Sequence, residues 1–303
     1  MNQLEMAETK PPRASDILRH HHQGNWLAQE GRLAEAVAEW ELSLSVAPEC
    51  ASTHYNLGVA YYRRKEVAKA VSYWQKVVEI EPAHPEANYA LGRAYYEQGS
   101  LQRAREAFEA FLRLKPNHPG ALNNLGLLQT QENHFEEAAR YFRAALEINP
   151  KYAEACYNLG TVRYEQGKYQ EAIKLLNDAV DIQPDYALAH HNLGLCHLRL
   201  GNYEEGASAF RYSQLFAPDF LPAYFNLGLL YHQWGKYELA AASYLQAQSR
   251  GFDNALLRYH LGLAYGALGK RDEAMAAWNS VLAEDPAGPL AVEIRAQIVR
   301  LAN

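Results

Sequence analysis

Cysteine is scarce in this chain: three residues in 303, Cys50, Cys156 and Cys196. An odd number cannot pair completely within one chain, and none stands in a CxxC or zinc-type spacing, so a disulfide framework is excluded. They read as reduced packing residues, as expected of a cytoplasmic protein. No run of about eighteen apolar residues occurs, so no membrane span is expected. The opening segment MNQLEMAETKPPRASD lacks an apolar core between basic residues and a small-residue cleavage site, and is no secretory signal. Nor is there an excess of positive charge. With a net charge of −6 the chain has no general means of neutralising nucleic-acid phosphates. Also missing are GxSxG, HExxH, GxxxxGK[ST] and a GxGxxG after a strand. No residue nominates itself for catalysis, and the expectation is no enzyme, no cofactor and no metal.

What is present is a period. Gly24, Gly58, Gly92, Gly126, Gly160, Gly194, Gly228 and Gly262 follow one another at intervals of 34 residues without an insertion. Eight repeats result, starting at residues 17, 51, 85, 119, 153, 187, 221 and 255. Leu precedes most of these glycines, and Tyr61, Tyr95, Tyr231 and Tyr265 follow three residues after. Leu, Gly and Tyr at i, i+1 and i+4 share one side of a helix, where the glycine lets another helix come close. A second glycine recurs at Gly31, Gly99, Gly167, Gly201, Gly235 and Gly269, marking a tight helix-to-helix turn.

The next segment carries a small residue at Ala36, Ala70, Ala104, Ala138, Ala172, Ala240 and Ala274. Four residues later a bulky one follows, such as Trp40, Trp74, Phe108, Phe142, Tyr244 or Trp278. Small then large at i, i+4 brings the paired helices together and fills the gap beyond. Pro48, Pro82, Pro116, Pro150, Pro184, Pro218 and Pro286 then stop the second helix. Two departures stand out. Gly206 replaces the small Ala of the sixth repeat at about 1 kcal/mol of helix propensity, and Phe252 replaces the proline of the seventh. With Gly251 as the expected C-cap, Ser249 to Asn254 is the least regular junction of the array.

This pattern resembles the tetratricopeptide repeat over residues 17 to about 288. The resemblance implies an all-α fold, a right-handed superhelical solenoid of about eight 34-residue helix-turn-helix repeats. Residues 1–16 are expected to form an extended or disordered arm, with Ser15 or Asp16 as N-cap of the first helix. Residues 289–303 are expected to form a capping helix, with Leu290, Ile294, Ile298 and Leu301 along one apolar stripe.

In this family the residues two before the conserved glycine face the concave groove. Here that column reads His22, Asn56, Ala90, Asn124, Asn158, Asn192, Asn226 and His260. A primary amide carries donors and an acceptor, and can hold an extended peptide by its backbone. The column is similar to the asparagine ladder in the repeat domain of the O-linked N-acetylglucosamine transferases, whose catalytic domain has no counterpart here. The competing reading is that these amides bond neighbouring helices and stiffen the array. Flanking columns add Tyr62, Tyr96 and Tyr164 as groove contacts, and Arg63, Arg93 and Arg199 as cations favouring an acidic segment. Repeat domains that clamp a chaperone's C-terminal carboxylate need cations where His21, Glu86 and Ala90 stand, so that mode is not expected.

His20, His21 and His22 point in different directions around a helix and make no metal site. His190, His191, Cys196 and His197 read as packing and groove residues. The leading expectation is a non-catalytic adaptor holding an extended peptide or partner helix in its groove. The alternatives are a self-assembling structural subunit, a homo-oligomer, or the repeat portion of a larger enzyme, against which the capping tail argues.

Overall fold

A computed structural model describes residues 14–302, and among these every regular element is a helix. The chain divides into two compact units. The first, up to Glu132, holds α1 (Ala14–Gln29), α2 (Leu33–Val46), α3 (Ala51–Arg63), α4 (Val67–Ile80), α5 (Pro85–Glu97), α6 (Leu101–Leu114) and α7 (Pro119–Gln131). The second, from Asn133, holds α8 (Phe135–Ile148), α9 (Ala153–Glu165), α10 (Tyr169–Ile182), α11 (Ala187–Leu200) and α12 (Tyr203–Phe216). It continues with α13 (Pro222–Gln233), α14 (Tyr237–Ser249), α15 (Ala255–Ala267), α16 (Arg271–Glu284) and α17 (Ala291–Ala302). Within each unit an odd-numbered helix packs on the even-numbered one that follows it, and that helix packs on the next odd one.

The recurring glycine is explained by the bulky side chain sixteen residues further on, a ring at Trp40, Trp74, Phe108, Phe210, Tyr244 and Trp278 and a leucine at Leu176. A Cβ added to Gly58 would lie 2.3 Å from Trp74 Nε1, and one added to Gly262 would lie 2.3 Å from Trp278 Nε1. Each indole then donates to a backbone carbonyl of the glycine's own helix, Trp74 to Tyr55 at 3.3 Å and Trp278 to Tyr259 at 3.1 Å. The small residue of the second helix, such as Ala36, Ala70 or Ala274, is fully buried at the same crossing.

The second glycine closes the hairpin with a positive φ, between 71° and 77° at Gly31, Gly99, Gly167, Gly201, Gly235 and Gly269. Lys65 and Asn133 hold the same left-handed conformation at 63° and 61° without being glycine. That conformation costs an L-residue about 1–2 kcal/mol, less for Asn.

Gly206 has a packing reason. A Cβ there would lie 2.6 Å from Leu230 Cδ1, and Leu230 is fully buried. The corresponding residue is Ala at positions 60, 94 and 264, and Leu128 is fully buried in the repeat after Ala104, so it is the particular approach of Leu230 to α12 that leaves no room for a methyl at Gly206. At the end of α14, Gly251 adopts φ 98°. Its N–H bonds Gln248 O at 2.9 Å and the Phe252 N–H bonds Ala247 O at 3.0 Å, a Schellman closure in place of the proline. Phe252 turns inward onto Phe225, with ring centroids 5.5 Å apart.

At the C-terminal end α17 begins at Ala291. Ile294 is fully buried against Trp278 and Val281, and Leu290, Ile298 and Leu301 pack beside them. The expectation for the other end needs correction. Because α1 begins at Ala14, Ser15 and Asp16 lie inside its first turn rather than before it. Residues 1–13 of the expected arm fall outside the described residues.

Candidate functional site

The asparagine column behaves as a set of rungs between repeats. Asn56 Nδ2 donates to Asn25 Oδ1 at 2.8 Å, and Asn192 Nδ2 donates to Thr161 Oγ1 at 2.9 Å. Asn25 and Thr161 each stand one residue after the conserved glycine of the preceding repeat. Where that position is Arg93 or Leu195, the amide turns to another partner. Asn124 Nδ2 reaches Tyr89 Oη at 3.5 Å, and Asn226 Nδ2 donates to His191 Nε2 at 2.8 Å. In the eighth repeat both preceding positions, Leu229 and Phe225, are apolar. The column residue there is His260, edge-on to Phe225 at 5.7 Å. Asn158 is buried.

These rungs continue into short relays. Asn25 Oδ1 also accepts from Trp40 Nε1 at 3.1 Å, while Asn25 Nδ2 donates to His21 Nε2 at 3.1 Å. His21 Nδ1 then bonds Thr53 Oγ1 at 2.9 Å. His191 accepts from Asn226 and bonds Asn192 Oδ1 through Nδ1 at 3.4 Å, which fixes the neutral Nδ1–H tautomer. Burial pushes its pKa down to about 4. His20 is paired with Glu39 at 2.7 Å, and His190 Nε2 donates to the Pro184 carbonyl at 2.9 Å. Among the described residues no group of three or more His, Cys, Asp and Glu is arranged to hold a metal ion.

The third repeat places a residue without any polar side-chain group in the column. In the third repeat the position is Ala90, opposite Tyr55 and Val59 of the second, and a cleft of about 480 Å³ opens there. An asparagine would otherwise bridge this gap. Trp74, Tyr62, Tyr89 and Phe111 complete the apolar lining, and Arg63, Arg93, Glu86, Lys115 and His118 add the charged and polar groups. Aromatic packing fixes the lining. Tyr62 tilts on Trp74 at 5.6 Å, and Tyr89 on Phe111 at 5.0 Å. His118 caps α7, its Nδ1 accepting from the Ala121 N–H at 3.1 Å. That bond leaves the proton on Nε2, and burial, then the nearby Lys115, push its pKa down.

Charge in the cleft is unevenly matched. Lys115 Nζ lies 2.6 Å from Glu86 Oε1, and its hydrogen bond holds that carboxyl below the usual range. Burial, then the Glu86 charge, push the Tyr55 hydroxyl up. The Arg93 guanidinium lies over the Tyr62 ring at 5.8 Å, while the Tyr62 hydroxyl donates to Glu97. Arg63 and Arg93 are both exposed.

Of the residues expected to line a groove, the cleft therefore brings together Tyr62, Arg63 and Arg93. Tyr96 is half-buried in α5 and is not part of the lining. Tyr164 and Arg199 form a second, smaller arrangement in the other unit, with Arg199 Nε donating to Tyr164 Oη at 3.2 Å. It occupies the same repeat positions as Tyr62 and Glu97, with the charge reversed. The sequence reading missed Val59, Trp74, Ala90 and Phe111 as lining. The signal was a single small residue in a column of amides.

Comparisons with known proteins agree on the class. Tetratricopeptide repeat profiles match residues 51–84, 72–120, 89–153, 141–174, 221–250 and 257–287, and a TPR repeat profile matches 160–201. The chain belongs to the tetratricopeptide repeat family, an all-α fold of repeated helical hairpins whose members are in general protein-interaction scaffolds without catalysis.

Among solved structures it is similar to Pseudomonas aeruginosa pilF, 22% identical over 70% of this chain and 97% of that one, with a TM-score of 0.62. A tetratricopeptide repeat protein from Parabacteroides merdae is 20% identical over 84% of this chain and 99% of that one, TM-score 0.60. YrrB, described as a TPR protein with an unusual peptide-binding site, is 24% identical over 59% of this chain and 92% of that one, TM-score 0.54. At these identities the likeness is one of fold. Nothing among curated proteins matches the sequence. No described helix is long and apolar enough to cross a membrane.

Proposed function

We propose that this protein is a non-catalytic interaction scaffold that holds an extended segment of a partner protein in the cleft of its first unit. The observation that carries this reading is the missing rung: at Ala90 the column of bridging side chains is interrupted, and apolar surface is open to a ligand. A cleft of about 480 Å³ falls in the range of about 300–1,000 Å³ usual for ligand pockets. Its aromatic walls offer large contact area from side chains with few rotatable bonds. Asn56, Asn124, Asn192 and Asn226 each commit an amide hydrogen to a neighbouring repeat. We therefore assign that column mainly to stiffening and the ligand mainly to Tyr62, Arg63, Arg93 and the apolar lining. The free thiols of Cys50, Cys156 and Cys196 suit a reducing compartment such as the cytoplasm.

The test is a displayed library of random peptides selected on the wild type and counter-selected on Ala90→Asn. The new amide fills the gap and faces Tyr55 as Asn124 faces Tyr89. Peptides that bind the wild type and bind the variant at least about tenfold more weakly, a loss of ~1.4 kcal/mol, support the reading. A library whose binders ignore the substitution overturns it.

A second reading, self-assembly, rests on an exposed aromatic patch of the second unit. Tyr212 and Phe216 are 49% and 39% exposed, the first tilted against His190 and the second stacked on it, and Leu215 is 65% exposed. Other repeats hold Lys76 and Asp178 where Tyr212 stands. A sedimentation coefficient that rises with concentration, and ceases to do so in Leu215→Glu, would favour it.

A further inference from the structure

We propose that the cleft selects a segment in which a bulky apolar side chain is followed within one or two residues by a side-chain carboxylate. This rests on the cleft being the binding site. The apolar half of the specification comes from Val59, Ala90, Trp74 and Phe111, which are buried or half-buried, whereas the charged lining residues Arg63, Glu86, Arg93 and Lys115 are all exposed. The acidic half comes from the rim. Four charged residues line the cleft, and the ion pair of Lys115 with Glu86 cancels two of them. Arg63 and Arg93 remain, both exposed, in a chain whose net charge is −6. Charge within this lining therefore runs against the net charge of the whole molecule.

Arg93 is already oriented by the Tyr62 ring, so less side-chain freedom is lost when it meets an acceptor. Tyr62 itself is tied to Glu97, which holds the ring in place. A planar carboxylate suits a guanidinium fork. Phosphate is disfavoured on the same geometry. Both helix N-termini that border the cleft are already engaged: that of α5 carries Glu86 in its first turn, where a phosphate dianion would otherwise collect, and that of α7 is capped by His118.

The experiment measures fluorescence polarisation of labelled peptides on the full chain. It uses one apolar anchor followed by Asp, Asn, Lys or phosphoserine, and a fifth peptide with the anchor replaced by Ala. The expected result is that the Asp peptide binds at least tenfold more tightly than the Lys peptide, and loses that preference in Arg63→Glu, Arg93→Glu. The Ala-anchored peptide should bind at least tenfold more weakly than its parent. Unchanged helical circular dichroism and melting keep the double variant interpretable.

Equal binding of the Asp, Asn and Lys peptides overturns the charge selection and leaves the cleft as a site. Preference for phosphoserine over Asp overturns the carboxylate in favour of a phosphopeptide. Failure of every peptide, including those selected from the random library, overturns the cleft itself.

Discussion

At the scale of single residues, the asparagines act through a hydrogen bond whose partner is chosen by its neighbours. An acceptor side chain after the preceding glycine, Asn25 or Thr161, takes the amide hydrogen; where that position offers no acceptor, as at Arg93 or Leu195, the tip of Tyr89 or His191 does. Each such bond contributes a net ~0.5–1.5 kcal/mol. Asn192→Ala is expected to lower stability by that amount, read as a shift in the urea midpoint.

His191 makes the same rung sensitive to pH. Only 8% exposed, it is held neutral with its pKa pushed to about 4 by burial, against an ordinary value of 6.5. Above pH 6.5 its contribution is fully present. As pH falls the unfolded chain takes the proton first, so stability drops toward pH 4. Between pH 7 and pH 5 the wild type should lose ~2 kcal/mol more than His191→Asn, the residue type found at Asn123. A loss equal in the two proteins contradicts the assignment. Lys65 offers a change of opposite sign. Replacing it with Gly relieves a left-handed L-residue and should stabilise by ~0.5–1 kcal/mol, since Gly's greater unfolded-state freedom offsets part of the gain.

At the scale of elements, the hairpin is set by a glycine and a ring rather than by apolar periodicity alone. Gly58→Ala would drive a methyl against Trp74 and is expected to cost about 1–3 kcal/mol despite alanine's better helix propensity. The same logic couples α12 to α13. Gly206→Ala alone should destabilise because of Leu230 Cδ1, whereas Gly206→Ala with Leu230→Ala restores the pairing of small residues used elsewhere. A double-mutant cycle should show a coupling of ~0.5–3 kcal/mol.

The helices and turns were legible in the sequence because each has its own marker in phase: glycine for the crossing and turn, Ala before a ring, proline at the end. Gly206 was legible as a departure but not its cause, since Leu230 lies in the next repeat and only packing connects them. The first helix was misread at its start because Ser15 and Asp16 have the chemistry of caps, while α1 begins at Ala14. The seventh repeat's end was legible at Gly251, although the inward turn of Phe252 onto Phe225 was not.

At the scale of the whole molecule, the repeats open an aromatic-lined cleft at the third because they are not identical. The repeat period specifies a scaffold, and deviation from it specifies a site. Ala90 was visible in the column of amides, yet its consequence depended on the other lining residues, among them Tyr55, Val59 and Trp74. Arg63 and Arg93 were expected as cations of a groove, and the ion pair of Glu86 with Lys115 is what leaves them as the local excess.

The most direct measurement is calorimetric titration of one library-selected peptide into the wild type, Ala90→Asn, and Asn192→Ala, Asn226→Ala. The account predicts binding at least tenfold weaker for Ala90→Asn, and affinity within about twofold of wild type for the paired asparagine variant, which should instead be less stable. Undiminished affinity in Ala90→Asn with loss in the asparagine variant would contradict it, and would move the ligand from the cleft to the ladder.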